Sequence, residues 1–387
     1  MPDDRRPVAA VITEWRTNSH ADVLLSRLLE PERWGHLRPF GIRLAAVYTD
    51  QVPKKDLCHP LCARHGVPIF PTIKGAVGVG TRTVPVEGVL IIGEHGDYPI
   101  NSRGQQLYPR RRLFEGVVHA FRVLGRRVPV FSDKHLSYEW GFARWMVDLA
   151  RHEGFPLMAG SSAPLAWRVP DLTLPIGTPL ERAFALGYSD LDAYGFHALE
   201  TLQCMTERRQ GGETGVASVR CLSGRAIWDE PDASLWPRDL LDALLPARRT
   251  VNARANPPRP TDRDDLFLIR YKDGLDAAVA MLDSVGECFA FAGQAKGKST
   301  PDVAVFDLEN QHPFGHFGYL ARAIEHMVIT GKASYPVERT LLTTGVLSAL
   351  LQSRAEGGTT IKTPHLAAVQ YQPADYPHAA GPTGTPA

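Results

Sequence analysis

The sequence predicts an α/β protein with a parallel sheet in its N-terminal half and an antiparallel sheet in its C-terminal half. In the N-terminal half, short apolar runs alternate with amphipathic stretches long enough for helices, a pattern typical of βαβ units. In the C-terminal half, segments of alternating polarity indicate antiparallel strands with one face against helices. At 387 residues, the chain is long enough for two domains.

Three apolar runs in the N-terminal half each end in a polar cluster. The runs cover residues 86–93, 128–131 and 155–158, and the clusters that follow cover residues 94–99, 132–135 and 159–164. Amphipathic stretches at residues 114–124 and 138–153 separate the runs and predict helices. Because ligands bind beyond the carboxyl ends of parallel strands, we expect the three clusters to form one functional rim.

The N-terminus has the layout of a dinucleotide-binding βαβ unit. Residues 8–12 and 42–48 predict strands, and residues 21–29 predict the helix between them. Asp50 follows the second strand, where a carboxylate would hold a ribose hydroxyl and favour NAD over NADP.

The turn after the first strand lacks the glycines of a phosphate-binding loop. Glycines tolerate positive φ and let the backbone approach a pyrophosphate. Thr13, Glu14 and Trp15 stand there instead. A carboxylate would therefore face the pyrophosphate, with Arg16 as a partial counter-charge.

A predicted helix at residues 57–65 carries Cys58, Cys62 and His65 on one face. Three such side chains could bind a metal ion, but a packed face of small polarizable residues is the favoured interpretation. The chain has five cysteines, an odd and scattered set that suits reduced thiols.

Composition and charge argue against several kinds of partner. A formal net charge of +1 offers no electrostatic footprint for nucleic acid or for an anionic membrane. No apolar stretch reaches the length of a membrane span, and the N-terminus lacks the apolar core of a signal peptide. We therefore expect a cytoplasmic protein with a small-molecule partner.

The remaining helices, strands and loops are predicted from hydrophobic periodicity and from the positions of glycine and proline. Residues 75–83, rich in glycine, predict a loop. Strands are predicted at residues 216–222, 265–271, 275–283 and 287–292, and helices at residues 196–208, 240–245, 319–330 and 340–353. The chain after residue 371 is rich in proline, glycine and alanine and predicts a disordered tail.

From residue 8 to about residue 366, these elements resemble the Gfo/Idh/MocA oxidoreductase family. The family's Glu-Lys-Pro motif follows a strand, and Asp133, Lys134 and His135 occupy the matching place. Its catalytic Asp-x-Gly-x-His resembles residues 193–197, which end in His197; Asp192 lies one residue before the family's aspartate position.

The resemblance implies an N-terminal Rossmann-like parallel sheet and a C-terminal α/β domain built on an open antiparallel sheet. It implies a dinucleotide-binding domain at residues 6–160, a substrate and oligomerisation domain at 161–371, and a disordered tail at 372–387. Homo-oligomers are expected to form through the open sheet.

The implied function is an NAD(P)-dependent oxidoreductase that transfers hydride at a carbinol carbon of a sugar-like or cyclitol substrate, with Lys134 and His197 handling the proton. Other catalytic candidates are Asp133, His135 and Asp192. Cofactor-binding candidates are Thr13, Glu14, Trp15, Asp50, Glu94 and His95. Substrate-binding candidates are Asp97, Tyr98, Tyr194 and Glu200.

Two alternatives remain open. A cofactor-independent hydrolase or lyase would use the same scaffold, with a divalent metal held by His95, Asp97, His135 and His197. A non-catalytic sugar- or partner-binding module is the other. For the two residues themselves, the structural alternatives are a surface ion pair for Lys134 and a capping or core histidine at a helix start for His197.

Overall fold

The computed structural model of the protein describes residues 4–36, 38–229, 236–247 and 260–381. Its first sheet has five parallel strands in the spatial order β2-β1-β3-β4-β5. These strands are β1 (Arg6–Ile12), β2 (Ile42–Thr49), β3 (Gly88–Ile92), β4 (Val130–Asp133) and β5 (Leu157–Gly160). The predicted parallel sheet is confirmed.

Helices connect these strands. They are α1 (His20–Leu29), α2 (Cys58–His65), α3 (Ile73–Gly78), α4 (Arg110–Leu124) and α5 (Trp140–Glu153). The loop predicted at residues 75–83 is wrong in its first part, because α3 extends to Gly78. Thr72 caps this helix by accepting a hydrogen bond from the Gly75 amide, and positive φ angles at Val79 and Gly80 end it.

The second sheet has eight strands in the order β13-β8-β9-β10-β7-β11-β12-β6. These strands are β6 (Trp167–Val169), β7 (Leu180–Gly187), β8 (Val216–Ser223), β9 (Asp265–Tyr271), β10 (Asp276–Met281), β11 (Phe289–Ala295), β12 (Asp302–Asp307) and β13 (Ile361–Lys362). Within the described chain, every neighbouring pair is antiparallel except β10 with β7. The predicted antiparallel sheet is thus confirmed, while self-association through it stays a prediction.

In the described residues of the C-terminal half, the α-helices are α6 (Tyr194–Thr206), α7 (Arg238–Leu244), α8 (Gly315–Thr330) and α9 (Val337–Ala355). Helix α8 packs across the boundary between the sheets, because its Phe317 and Leu320 lie in one buried cluster with Val8 and Trp15 of the N-terminal half. This helix therefore closes one side of the rim at the carboxyl ends of β1, β3 and β4.

The predicted boundary at residues 160 and 161 lies between β5 and β6. The structure differs from the predicted disordered tail, because residues up to 381 make defined contacts. Asp375 pairs with Arg208 at 2.6 Å, and the ring of Tyr376 lies 5.2 Å from that of Tyr335. The ring contact of Tyr376 and the ion pair of Asp375 hold this segment in place, although it is rich in proline, glycine and alanine. Residues 382–387 lie outside the described part.

The cysteine-bearing face of α2 is packed. Cys58 and Cys62 are buried and free of disulfide bonds, and His65 bonds Glu30 at 3.1 Å. In the described part of the chain, no helix combines the length and the apolar character that a membrane crossing requires. The cytoplasmic location stays a prediction.

Helix α1 offers a first test of local structure. Ser19 is its N-cap, and its Oγ accepts from the backbone amides of Asp22 at 3.3 Å and Arg16 at 3.2 Å. We expect Ser19→Ala to lower the free energy of unfolding by about 1 kcal/mol, measured by urea denaturation. Ser19→Thr keeps the acceptor and serves as the control; an equal loss in both variants would contradict the capping role.

Candidate active site

A cavity of about 490 Å³ lies at the predicted rim, between the two halves of the chain. Its walls come from the residues after β1, β3 and β4 on one side, and from α6, α8 and the chain before them on the other. The polar side chains on these walls include Asn18, His20, Glu94, Lys134, Asp192 and His197. This volume lies in the range of small-molecule sites.

Backbone strain is concentrated at this cavity. Within the described chain, seven non-glycine residues have positive φ, and four of them line the cavity. These are Asn18 (60°), His95 (70°), Lys134 (65°) and Phe314 (51°). Each such conformation costs about 1–3 kcal/mol and persists where the surroundings impose it, most often at functional sites.

Lys134 and His197 meet at the base of the cavity. The Nζ atom of Lys134 lies 2.5 Å from Nε2 of His197 and 3.7 Å from Oε1 of Glu94. All three side chains are more than nine-tenths buried. The predicted partners thus form one cluster, although 63 residues separate the lysine from the histidine.

The charges in this cluster follow from its surroundings. Burial and the neighbouring Lys134 lower the pKa of His197 well below its ordinary value, so the imidazole is neutral at neutral pH. Burial alone would raise the pKa of Glu94, but Lys134 and Arg110 lower it further than burial raises it. The geometry suits a Lys134 ammonium that donates to neutral His197 beside an ionised carboxylate.

Arg110, at the start of α4, holds the layer behind this cluster. Its guanidinium donates to Glu94 at 2.5 Å and lies 3.0 Å from Nε2 of His135. Asp192 lies 3.9 Å from the same His135 nitrogen and accepts from the Gln106 amide at 2.8 Å. Burial raises the pKa of Asp192 to about 6. His135 therefore supports the cavity wall without lining it.

The loop after β1 is tied to the loop after β2. The Gln51 amide donates to the Thr13 carbonyl at 2.8 Å, and the Leu57 amide donates to the Trp15 carbonyl at 2.8 Å. The Trp15 side chain is fully buried, and Glu14 pairs with Arg16 at 2.7 Å. The two loops therefore join over the carboxyl ends of these neighbouring strands.

The N-terminus of α1 carries its own negative charge. Oδ2 of Asp22, in the first turn, accepts from the Asn18 amide at 2.9 Å, and its Oδ1 accepts from Trp15 Nε1 at 3.4 Å. Ser19 accepts from the Asp22 amide. A carboxylate here stabilises the helix through the macrodipole. It also accepts hydrogen bonds from N–H groups that could otherwise bind an anion.

Asp50, the predicted ribose ligand, also has partners within the chain. It accepts hydrogen bonds from Tyr48 at 2.9 Å, Tyr98 at 2.7 Å and Arg112 at 2.6 Å. Burial alone would raise its pKa, but the bonds from Arg112, Tyr98 and Tyr48 lower it. Tyr98 therefore covers this carboxylate from the loop after β3.

The structure brings only some of the predicted residues to the cavity. Those that line it are Lys134, His197, Asp192, Tyr194, Glu94 and His95. Those that do not are Asp133, His135, Thr13, Glu14, Trp15, Asp50, Asp97, Tyr98 and Glu200. Asp97 is exposed, and Glu200 lies behind the wall, where its Oε2 accepts from the Ser161 amide at 2.8 Å. Their roles in substrate or cofactor binding stay predictions.

The alternative metal site finds no support. In the part of the chain that the structure describes, no group of three or more histidine, cysteine, aspartate or glutamate side chains is arranged to hold a metal ion. Within the suggested set, His197 contacts Lys134 and His135 contacts Arg110, and both partners are cationic groups that compete with a metal.

The sequence analysis did not single out His20 as a candidate, yet it lines the cavity together with His316. His20 is the first residue of α1, and its Nδ1 lies 2.6 Å from Oδ2 of Asp133. The signal was its position directly after the loop that follows β1, at the edge where ligands bind.

Comparison with known proteins gives a fold and no sequence relative. No protein-family model matches the chain, and no curated protein matches it in sequence. GenD2 from gentamicin A biosynthesis, in complex with NAD, is 14% identical with a TM-score of 0.58, over 93% of this chain and 96% of its own. Apo scyllo-inositol dehydrogenase from Lactobacillus casei is 11% identical with a TM-score of 0.56, over 94% and 99%.

A further match is myo-inositol dehydrogenase from Lactobacillus casei, in complex with NAD(H) and myo-inositol. It is 12% identical with a TM-score of 0.56, over 92% of this chain and 96% of its own. The structural neighbours are Gfo/Idh/MocA-type dehydrogenases. At these identities the likeness establishes the fold, so the implied Rossmann-like domain and C-terminal α/β domain are confirmed.

Proposed function

We propose that the protein is an enzyme that acts on a polyhydroxylated small molecule, such as a sugar or cyclitol, by acid–base catalysis in this cavity. The observation that carries the proposal is the buried contact between Lys134 and His197 beside ionised Glu94. Lys134 would donate a proton to a substrate oxygen, and His197 would hold the amine in place. The strained backbone at Lys134 and His95 also favours an enzyme over a binding module.

An oxidoreductase is one version of this proposal. Its support is the fold, since neighbours with this architecture are named as dehydrogenases and two of those described above were solved with NAD or NAD(H). In this version a carbinol carbon would be oxidised with NAD(P) as hydride acceptor.

The residues at the usual dinucleotide position provide neither a glycine-rich turn for the pyrophosphate nor a free carboxylate for the ribose. Glu14 in the turn after β1 and Asp22 in the first turn of α1 are carboxylates in the region where a Rossmann fold binds the pyrophosphate, and Trp15 stands in the turn that would carry the glycines. Asp50, the predicted ribose ligand, already accepts three hydrogen bonds. The turn after β1 therefore does not fit a dinucleotide.

The geometry favours the second version, a redox-neutral lyase or hydrolase that needs no dinucleotide. The specific observation is that the loops after β1 and β2 are bonded to each other, while the cavity at Lys134 stays open. Elimination and hydrolysis need only proton transfers at the substrate, and the cavity supplies groups for them.

The decisive assay is incubation with a panel of cyclitols, aldoses and sugar acids, with and without NAD or NADP, followed by mass spectrometry of the products. We expect turnover of a panel member without dinucleotide and no saturable calorimetric binding of NAD(H) or NADP(H) at millimolar concentration. The physical reason is repulsion between the pyrophosphate and the carboxylates of Glu14 and Asp22.

Tight dinucleotide binding with reduction of the cofactor would instead identify the oxidoreductase. Binding of a panel member without turnover in any condition would leave the non-catalytic module. Glu14→Gln and Asp22→Asn are matched variants, because they remove the charges and keep the shapes. If the charges are what excludes the cofactor, these variants should gain affinity for NAD(H).

A further inference from the structure

A histidine–carboxylate pair lies on the opposite wall of the cavity from His197. Nδ1 of His20 is 2.6 Å from Oδ2 of Asp133, and the His20 side chain lines the cavity with 13% of its surface exposed. Asp133 is the last residue of β4 and is fully buried. The pair thus joins the start of α1 to the rim of the sheet.

As a purely structural link between α1 and β4, the buried carboxylate of Asp133 is energetically unfavourable. Within the described residues, His20 is the partner of Oδ2, while the buried Oδ1 has no hydrogen-bond partner. Burying a carboxylate costs more free energy than its one hydrogen bond, to His20, contributes. A purely structural link would be better served by a neutral side chain, so a role in orienting the imidazole explains the pair better.

The ring of His20 is held on several sides. The ring of Phe317 lies 4.9 Å away and that of His95 5.5 Å away, both edge-on. An ionised Asp133 can accept a hydrogen bond but cannot donate one. A neutral His20 that bonds it through Nδ1 therefore carries its proton on Nδ1. Nε2 then keeps a lone pair and is the nitrogen left for a ligand.

Three other histidines on the cavity wall, His95, His197 and His316, have lowered pKa values. Burial lowers the pKa of His95 and of His316 to about 3, and lowers that of His197 well below its ordinary value. A base of such low pKa transfers protons with little driving force at neutral pH. With Lys134 as the acid, His20 and Asp192 are the candidate bases on the cavity wall, and Asp192 already accepts from the Gln106 amide at 2.8 Å, which favours His20.

We propose that His20 is a second catalytic residue, a general base on the cavity wall, and that Asp133 is its positioning residue. In an elimination, Nε2 of His20 takes the proton of a substrate C–H group, and the electron pair of that bond forms a C=C bond. The neighbouring C–O bond breaks with its electron pair on oxygen, Lys134 protonates that oxygen, and it leaves as water, so no electrons enter or leave the system. This assignment rests on the proposed acid–base function and specifies a two-group, redox-neutral reaction.

The first test measures turnover of the panel compound that the protein converts. We expect His20→Gln and Asp133→Asn each to lower kcat by about 100-fold or more, with little change in KM. Asp56→Asn is the matched control, because Asp56 holds His59 at 2.7 Å in a pair that does not line the cavity, and it should keep full activity. A merely structural pair would lower the melting temperature of the His20 and Asp133 variants without lowering kcat.

A second test needs no substrate. Diethyl pyrocarbonate acylates the unprotonated nitrogen of neutral histidine, and peptide mass spectrometry locates the modified residue. An asparagine amide at position 133 would donate to Nδ1 and move the proton of the ring to Nε2. We expect acylation of His20 to slow by about tenfold or more in Asp133→Asn, with His59 unchanged.

The two tests separate the two claims. If no panel compound is converted, the proposed function fails, while the acylation rate still decides whether Asp133 fixes the reactive nitrogen of His20. An unchanged acylation rate in Asp133→Asn, or wild-type kcat in folded His20→Gln, overturns the assignment.

Discussion

Lys134→Ala should lower turnover of the converted substrate by about 100- to 10,000-fold, the range that a positioned acid or base contributes. The reason is that the Lys134 amine, held 2.5 Å from His197 and 3.7 Å from Glu94, is fixed at the base of the cavity, where it can donate to a substrate oxygen. His197→Ala should cause a loss of similar size, because it releases the amine from its position.

Steady-state kinetics of both single variants and of the double variant measure this effect. If the two side chains act as one unit, the double variant should lose little more than either single variant. Lys272→Ala, at an exposed lysine, is the control and should keep full activity. The melting temperature of each variant should stay within a few degrees of wild type. Full activity in both single variants would remove the pair from the site.

Glu200→Gln should stabilise the protein by about 3 kcal/mol above pH 7 and by nothing below pH 4. Burial raises the pKa of Glu200 from its ordinary value of 4.5 to about 7, in spite of Arg339 and the hydrogen bonds from Ser161. Glutamine keeps an oxygen for the Ser161 amide and an N–H for the hydroxyl of Thr340, which lies 3.4 Å from Oε1.

The sign of this effect follows from proton binding. Between pH 4.5 and about 7, folded Glu200 holds a proton that the unfolded chain has lost. The free energy of unfolding therefore falls as pH rises through this window, and the full cost is present above it. Glutamine is neutral at every pH, so the variant lacks this decline.

Urea denaturation at several pH values tests the prediction. Glu213→Gln is a matched control, because Glu213 is also buried but pairs with Arg209 at 3.0 Å. Removing one partner of such a pair should destabilise the protein. A Glu200→Gln variant less stable than wild type at pH 8 would show that Glu200 is ionised and needed in that state.

Much of the fold follows from local sequence patterns. The apolar runs before Glu94 and Ser132 predict strands, and the structure has β3 and β4 there. Hydrophobic periodicity is a local property, so it identifies elements without knowledge of their neighbours. Even so, α3 and the contacts of Tyr376 were missed, because a single cap and a long-range ring contact override composition.

The candidate site could be predicted in part. Lys134 and His197 were found through a family motif, and the rule that ligands bind at the carboxyl ends of strands places the cavity. The sequence also showed that the phosphate-binding glycines are absent. The sequence could not show which side chains would bond the predicted cofactor ligands. Tyr98, for example, donates to Asp50, which lies 48 positions away in the chain.

By itself, then, the sequence predicted the alternating strands and helices of the first sheet, four strands of the second sheet, the rim where polar residues gather and the lack of a glycine-rich turn. It did not predict β6, β7, β12 or β13. Only the tertiary structure decided that Asp133 turns to His20 rather than to the cavity, that Glu200 lies buried behind the wall, and that the loops after β1 and β2 bond to each other. Such contacts join residues far apart in the chain, and the direction of a side chain depends on packing that no local pattern records.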